Sequence, residues 1–318
     1  MTLQDMILFW GRKNIVDDLR PYLLEISVKE SIEKNGKDEI AIRMHNKDNI
    51  FLNAWFPEEG ATIQFYMKNY PCGLYSVDQV DFQLSPATVS IRGLSYPDNQ
   101  RKSLTKKRSL GFEKIPLKRL AEAMITKAEY TPYVQCPDVQ LDRFDVSNES
   151  LEHALARLAD TYNCAFAVKG RTIVFANFFE SSGQTIHRHD CNGSISVAPR
   201  KAVASVQMDY YDPNTEKTVK HIEGDPNATG DQIKTIHGVA RTLESAKQQC
   251  QAALQQNQES KITASIEMEG RLISPGISVA LDGFGKLNDN YKVERVSHRI
   301  STSGWRTRLQ LGGPYDRS

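Results

Sequence analysis

The sequence predicts a mainly β protein with α+β character. Strand-rich regions lie at both ends, a small two-helix and hairpin module lies between them, and a helix is inserted in the second strand-rich region. Three patterns predict it. Short runs near both ends alternate apolar and polar residues, as strands with one buried face do. Two central stretches, PLKRLAEAMITKAEY and NESLEHALARLADTYN, repeat apolar residues at helical spacing. A third helical stretch, ARTLESAKQQCQAALQQN at 240–257, is bracketed by strand-like runs.

In chain order, YLLEISVKE (22–30) and EIAIRMHN (39–46) alternate, with Asn35-Gly36 between them as a hairpin signal. ATIQFYM (61–67), GLYSVDQVDF (73–82) and ATVSIRGLS (87–95) continue the pattern, so this region reads as a barrel or a sandwich. A polar, basic connector follows, DNQRKSLTKKRSLGFEK at 98–114. Pro116 suits the first turn of the next helix, where its missing N–H has no partner to lose. That helix carries Leu117, Leu120, Ala121, Met124, Ile125 and Ala128 on one face; the second carries Leu151, Ala154, Leu155, Leu158, Ala159 and Tyr162. Ser147 or Asn148 is the expected cap of the second helix. CAFAV, a Lys169-Gly170 turn and RTIVFANF complete the module as a hairpin. Strands are expected at 194–198 and 202–212, a loop at 221–232, and closing strands at 262–270, 276–283, 291–300 and 304–311.

The chain has 318 residues, enough for two domains or three small ones. Its 40 basic and 39 acidic residues give a net charge of +1, so global charge does not drive binding to nucleic acid or an anionic membrane. No apolar run approaches the ~20 residues of a membrane-spanning helix. The apolar patch from Met6 to Trp10 lacks a basic lead and a cleavage site, so cytoplasmic synthesis without membrane insertion is expected. Cys72, Cys136, Cys164, Cys191 and Cys250 are odd in number and form no CxxC pair, which favours free thiols.

Chemistry is sparse. His187, His189 and Cys191 in IHRHDC have a spacing that zinc can use on a strand edge, but a polar strand or loop shows the same alternation, and no second ligand group follows. GFGKL (283–287) lacks the glycine spacing, the Ser/Thr and the following helix of a phosphate loop. Arg101, Lys102, Lys106, Lys107, Arg108 and Lys114 make the connector basic, yet no aromatic residue is interleaved from Arg101 to Gly111 for base stacking. The plainer reading is a solvated loop or a contact to a protein neighbour. Glu58-Glu59 lies in a turn, and Asp78 and Asp81 lie on one strand, with nothing placing either pair across a cleft. No HExxH or GxSxG is present. The residues therefore assign no catalytic, cofactor-binding or metal-binding position and no cofactor.

LEHALARLADTYNCAFAVKGRTIVFANF (151–178) resembles the late control protein D family of contractile-tail phages, through Leu155, Arg157, Leu158, Ala159, Tyr162, Val168, Lys169, Ile173 and Phe175. CGLYSVDQVDFQLSPATVSIRGLS (72–95), LTKKRSLGFEKIPLKRLAEAM (104–124), GRLISPGISVALDGF (270–284) and YKVERVSHRISTSGWRTRLQL (291–311) are similar to further phrases of that family, in the same order. The likeness spans roughly 20–312. It implies a structural baseplate hub without turnover chemistry. It implies two antiparallel β-barrel tube domains, 1–112 and 181–318, the second with a helical insertion at about 232–258, and a helix–helix–hairpin module at 113–180. The implied assembly is a homotrimer joining the hexameric tail tube to the spike trimer, in the virion tail baseplate. Wedge and tape-measure proteins are further partners, and DNA is a passing cargo. The long repetitive β-helix of related type VI secretion spikes is not in this sequence, so no fused spike or lysozyme domain is expected. The rival expectations are a peptidoglycan-degrading tail enzyme and a nucleic-acid-binding module using 98–114.

Overall fold

The computed structural model describes residues 6–32, 38–68, 70–95, 98–177, 180–197, 203–212, 215–238, 240, 242–259 and 262–313. The first region holds β1 (Met6–Trp10), β2 (Lys13–Asn14), α1 (Val16–Leu19), β3 (Leu23–Ser31), β4 (Glu39–His45), α2 (Ile50–Asn53), β5 (Thr62–Met67), β6 (Tyr70–Gln83) and β7 (Thr88–Leu94). Alternation sets which side is buried. Ile26 and Val28 of β3, Ile40, Ile42 and Met44 of β4, and Ile63, Phe65 and Met67 of β5 all point into one core. β3 and β4 pair antiparallel as expected, with Lys29 opposite Glu39; the Asn35-Gly36 turn lies outside the described residues.

The basic connector is not a loop: it forms α3 (Asp98–Thr105) and β8 (Lys107–Pro116). α4 (Leu117–Lys127), β9 (Thr131–Gln135), β10 (Gln140–Ser150), α5 (Leu151–Thr161), β11 (Ala165–Lys169) and β12 (Thr172–Ala176) follow. β8 pairs with β10 as a ribbon, and β9 joins the β11–β12 hairpin in parallel. The apolar faces of both helices meet these strands in a core containing Leu120, Met124, Leu155, Leu158, Ile173 and Phe175. Because β10 runs to residue 150, the cap of α5 is Ser150 and not Ser147 or Asn148; its hydroxyl accepts from the His153 amide at 3.1 Å. Ser150→Ala is expected to cost about 1 kcal/mol, read as a lower urea midpoint. Pro116 is the residue that caps α4, with extended backbone, one position before the first turn. The hairpin turn is Gly170-Arg171, one residue later than expected, since Lys169 pairs with Thr172. Gly170 has φ +57°, which suits glycine in such a turn.

The last region holds β13 (Glu180–His187), β14 (Cys191–Val197), β15 (Ser205–Asp212), β16 (Lys217–Gly224), β17 (Ile233–Ile236), α6 (Leu243–Glu259), β18 (Ile262–Glu269), β19 (Ile277–Asp282), β20 (Asn290–Ser301) and β21 (Gly304–Gly313). Part of the expected loop at 221–232 is strand β16. β15, β16 and β17 make their own sheet, and α6 packs on it through Ala246 and Cys250 against Val206, Met208 and Tyr210. The remaining strands do not form a separate sheet. β20 pairs antiparallel with β3, Val28 opposite His298 and Ile26 opposite Ile300, so both strand-rich regions share one 13-stranded sheet. The mainly β class holds, with helices between the strands. No sheet of the described strands closes by hydrogen bonding, so barrel closure is not seen.

The end of β18 is tightly fitted. A Cβ on Gly270 would lie 2.0 Å from Cδ2 and 2.3 Å from Cγ of Trp305, atoms near the root of a rigid ring. Gly270→Ala is expected to destabilise by about 1–3 kcal/mol, seen as a lower melting temperature, because the indole must leave its position against the core.

Candidate functional site at the seam, the junction and the open edges

The β3–β20 seam carries a buried histidine. His298 is fully buried, and its Nδ1 lies 3.1 Å from Thr307 Oγ1. That hydroxyl donates to the Arg271 carbonyl and accepts from the Arg271 amide, both at 3.0 Å, so Nδ1 carries the proton and donates to Thr307. Nε2 is buried with no hydrogen-bond partner among the described residues. Burial holds the imidazole pKa down at about 4, with the Ile273 backbone partly opposing.

A second polar cluster lies where the hairpin tip of the module meets the large sheet. Lys169 Nζ contacts both carboxylate oxygens of Asp38, at 2.6 and 2.7 Å, and Asp38 also accepts from the Ser31 amide at 3.1 Å. Glu30 of β3 is 4% exposed and accepts from the Tyr70 hydroxyl at 3.2 Å. That hydroxyl also lies 2.9 Å from Ser274 Oγ, in the turn before β19. Burial pushes the Glu30 carboxyl up to about 7; Lys169 opposes this and Asp38 adds to it. Burial also raises Asp38, with Lys169 opposing. A cavity of about 430 Å³ opens onto these groups. Three parts of the chain thus converge on one lysine and two carboxyls.

The large sheet has open edges. β14 pairs only with β18 among the described strands, and most of it is exposed, Val197 at 57%. At the other end, β2 pairs with Phe9 and Trp10 of β1 and the Ile15 amide donates to the Leu8 carbonyl at 2.9 Å, leaving Met6 and Ile7 without a described outer partner. Leu52, Trp55 and Phe56 are exposed beside an apolar groove lined by Trp10, Phe51 and Met44. Unpaired backbone edges are templates for another chain.

The residues singled out from sequence do not converge. His187 Nδ1 meets Asp282 at 2.9 Å, His189 stacks on His187 and reaches Asp190 at 3.3 Å, but residues 188–190 form a 3-10 turn. That turn breaks the alternation, so Cys191 is buried, with its thiol toward the His187 carbonyl and its pKa raised by burial. Among the described residues no cluster of three or more His, Cys, Asp or Glu side chains has metal-binding geometry. Arg108 is held by the Ser103 and Lys127 carbonyls at 2.7 and 3.2 Å, so it is not a free phosphate contact, whereas Lys106 and Lys107 are exposed. GFGKL is a 3-10 turn leading into β20. Glu58, Glu59, Asp78 and Asp81 all face solvent. No described helix is long and apolar enough to cross a membrane.

The polar features described here tie parts of the chain to one another, and the open features are sheet edges and an apolar groove. No family model matches the chain, and no curated protein matches its sequence. Solved structures do match its fold. The tail protein of Neisseria meningitidis MC58 superposes with a TM-score of 0.73 at 13% identity, over 97% of this chain and 96% of the other. The 43 kDa tail protein of prophage MuSo2 from Shewanella oneidensis gives 0.71 at 14% identity, over 97% and 98%. An Escherichia coli component of the type VI secretion system, described as similar to phage T4 tail proteins, gives 0.52 at 9% identity, over 93% and 74%. The chain has the fold of these tail proteins.

Proposed function

We propose that this protein is a structural baseplate hub of a contractile phage tail or related injection system. In this reading it is a homotrimer that joins the hexameric tail tube to the spike trimer, sits in the virion baseplate and performs no turnover chemistry. Its parts would be 1–112 and 181–318 as the two tube domains and 113–180 as the module beside them. The observation that carries the reading is the end-to-end match to two tail proteins, one of them from a prophage, at TM-scores of 0.73 and 0.71 over nearly the whole of each chain. The late control protein D phrases of the sequence support it independently. The open edges at β14 and β1 give each subunit backbone groups that a neighbour can pair, and closed rotational symmetry would make that pairing finite. Wedge and tape-measure proteins would be its other neighbours, and DNA would pass without being read.

Sedimentation of the full chain, alone and mixed with the spike protein of the same tail, tests this. A mass of three chains, or a three-to-three complex with the spike, is expected. A chain that stays monomeric in both mixtures overturns the reading. Digestion of peptidoglycan by the isolated chain would do so as well.

A further inference from the structure

The module is attached to the rest of the chain at two places with different chemistry. At one end, α5 meets α6 through neutral contacts: Asn163 donates to Gln255 at 3.2 Å, and Gln256 donates to the Asp160 carbonyl at 2.9 Å. At the other end, the hairpin tip is held by the Lys169–Asp38 ion pair, beside Glu30 and a cavity of about 430 Å³. We propose that this second attachment is a proton-controlled latch, in which the Lys169 hairpin stays docked on the large sheet while Glu30 holds a proton and is released when Glu30 loses it.

The charge count argues for it. Lys169 directs Nζ at both oxygens of Asp38, so the pair is neutral together. A protonated Glu30 adds no charge. An ionised Glu30 adds a second carboxylate to one ammonium, where both carboxyl side chains are buried. The cation that acts on it is Lys169, and on β20 Arg295 lies opposite the neighbouring Ser31. From β6 it meets Tyr70 and the Cys72 thiol, and Tyr75 lies beyond them. From the turn before β19 it meets Ser274 through Tyr70, and the β20 residue opposite is Val296. Lys29 and Arg92 are both engaged with Glu39, at 3.3 and 3.1 Å. The closed junction therefore favours the protonated acid, in line with a Glu30 pKa raised to about 7. In an open junction the carboxyl is hydrated and returns to its ordinary range. Linkage then makes opening about tenfold more frequent at pH 8 than at pH 6. The latch does not depend on the hub reading.

Cys72 supplies a native reporter, because it lines the same cavity and is 4% exposed when the junction is closed. The full chain is labelled with iodoacetamide at pH 6, 7 and 8, and modification of Cys72 is followed by peptide mass spectrometry. Rates are divided by those of a model thiol at each pH. A rise of about tenfold from pH 6 to 8 is expected in the wild type. Glu30→Gln, which keeps a carbonyl for Tyr70, should label slowly at every pH, and Lys169→Met should label fast at every pH. A corrected rate that does not change with pH overturns the latch, as does the same rise in Glu30→Gln. An equal rise at Cys250, buried in the core under α6 and not lining this cavity, would mean global unfolding and also overturn it. If Lys169→Met does not fold, the Glu30→Gln comparison decides alone.

Discussion

Lys169→Met is expected to lower the unfolding free energy by about 3–5 kcal/mol at neutral pH, and Asp38→Asn on top of it should restore most of the loss. The side chain of Asp38 is 6% exposed and that of Lys169 is 28% exposed. Methionine fills much of the lysine volume but leaves the Asp38 carboxylate with the Ser31 amide as a donor and without its Lys169 counter-charge. The cost is that of a buried uncompensated charge, which exceeds the net worth of the pair itself. Burial already pushes Asp38 upward, and Lys169 is what opposes it. Removing Lys169 drives that carboxyl further up, so the penalty should grow as pH rises above the usual carboxylate range and shrink below it. Urea titrations of the two single variants and the double variant make a cycle from which the coupling is read. A Lys169→Met loss under about 1 kcal/mol, with no recovery in the double variant, would show the bridge to be a solvated contact.

The fold is legible in the sequence wherever one face of an element is buried and the other is wet. The strands expected at 22–30, 39–46, 61–67 and 262–270 match β3, β4, β5 and β18 to within a residue at each end. Their cores are Ile26 with Val28, Ile40 with Ile42, Ile63 with Phe65, and Ala264 with Ile266. Both module helices are equally plain, because each buries a single stripe. The β8–β10 ribbon is not. Its core contribution is Leu110, Phe112 and Ile115 from one strand and Leu141, Phe144 and Val146 from the other, scattered among charges such as Arg108, Glu113 and Arg143. A ribbon covered on one side by helices needs few apolar residues, and those few look like accidents in a basic segment. The seam itself is illegible for another reason: β3 and β20 are each ordinary amphipathic strands, and nothing local says that they are neighbours.

The buried polar groups do leave a signal. Glu30 shares the inward phase of Ile26 and Val28, and His298 that of Val296 and Ile300. A charged or titratable residue on the apolar phase of a strand must be paired, neutral or misassigned, and alternation alone is enough to raise that question. The partners cannot be found that way. Lys169 is 131 positions from Asp38, and only the packing of the module brings them together. The candidates that the sequence does raise, His187 and His189 with Cys191, stand out because they are close in the chain; the 3-10 turn at 188–190 then leaves the two rings stacked at the surface and Cys191 buried.

His298→Asn should change the pH dependence of stability more than its value at neutral pH. The folded pKa of His298 is held at about 4, below the 6.5 of a free imidazole. Between those values the unfolded chain binds the proton and the folded chain does not, so stability falls as pH drops from 6.5 to 4, by about 3 kcal/mol. Below that window both states are protonated and the effect is complete. Asparagine keeps a donor where Nδ1–H points at Thr307 and removes the titration. Glu30 works in the opposite sense over nearly the same range. Its folded pKa is raised from 4.5 to about 7, so the folded chain holds the extra proton and stability rises as pH drops from 7 to 4.5, again by about 3 kcal/mol. In the wild type the two contributions nearly cancel. Urea midpoints at pH 7 and 4.5 separate them: His298→Asn should be relatively more stable in acid, Glu30→Gln relatively less stable, and the double variant close to the wild-type slope. If His298→Asn retains the wild-type slope, the imidazole at the seam is solvated enough to take its proton in the folded chain, and β20 is not sealed against β3 as the structure has it.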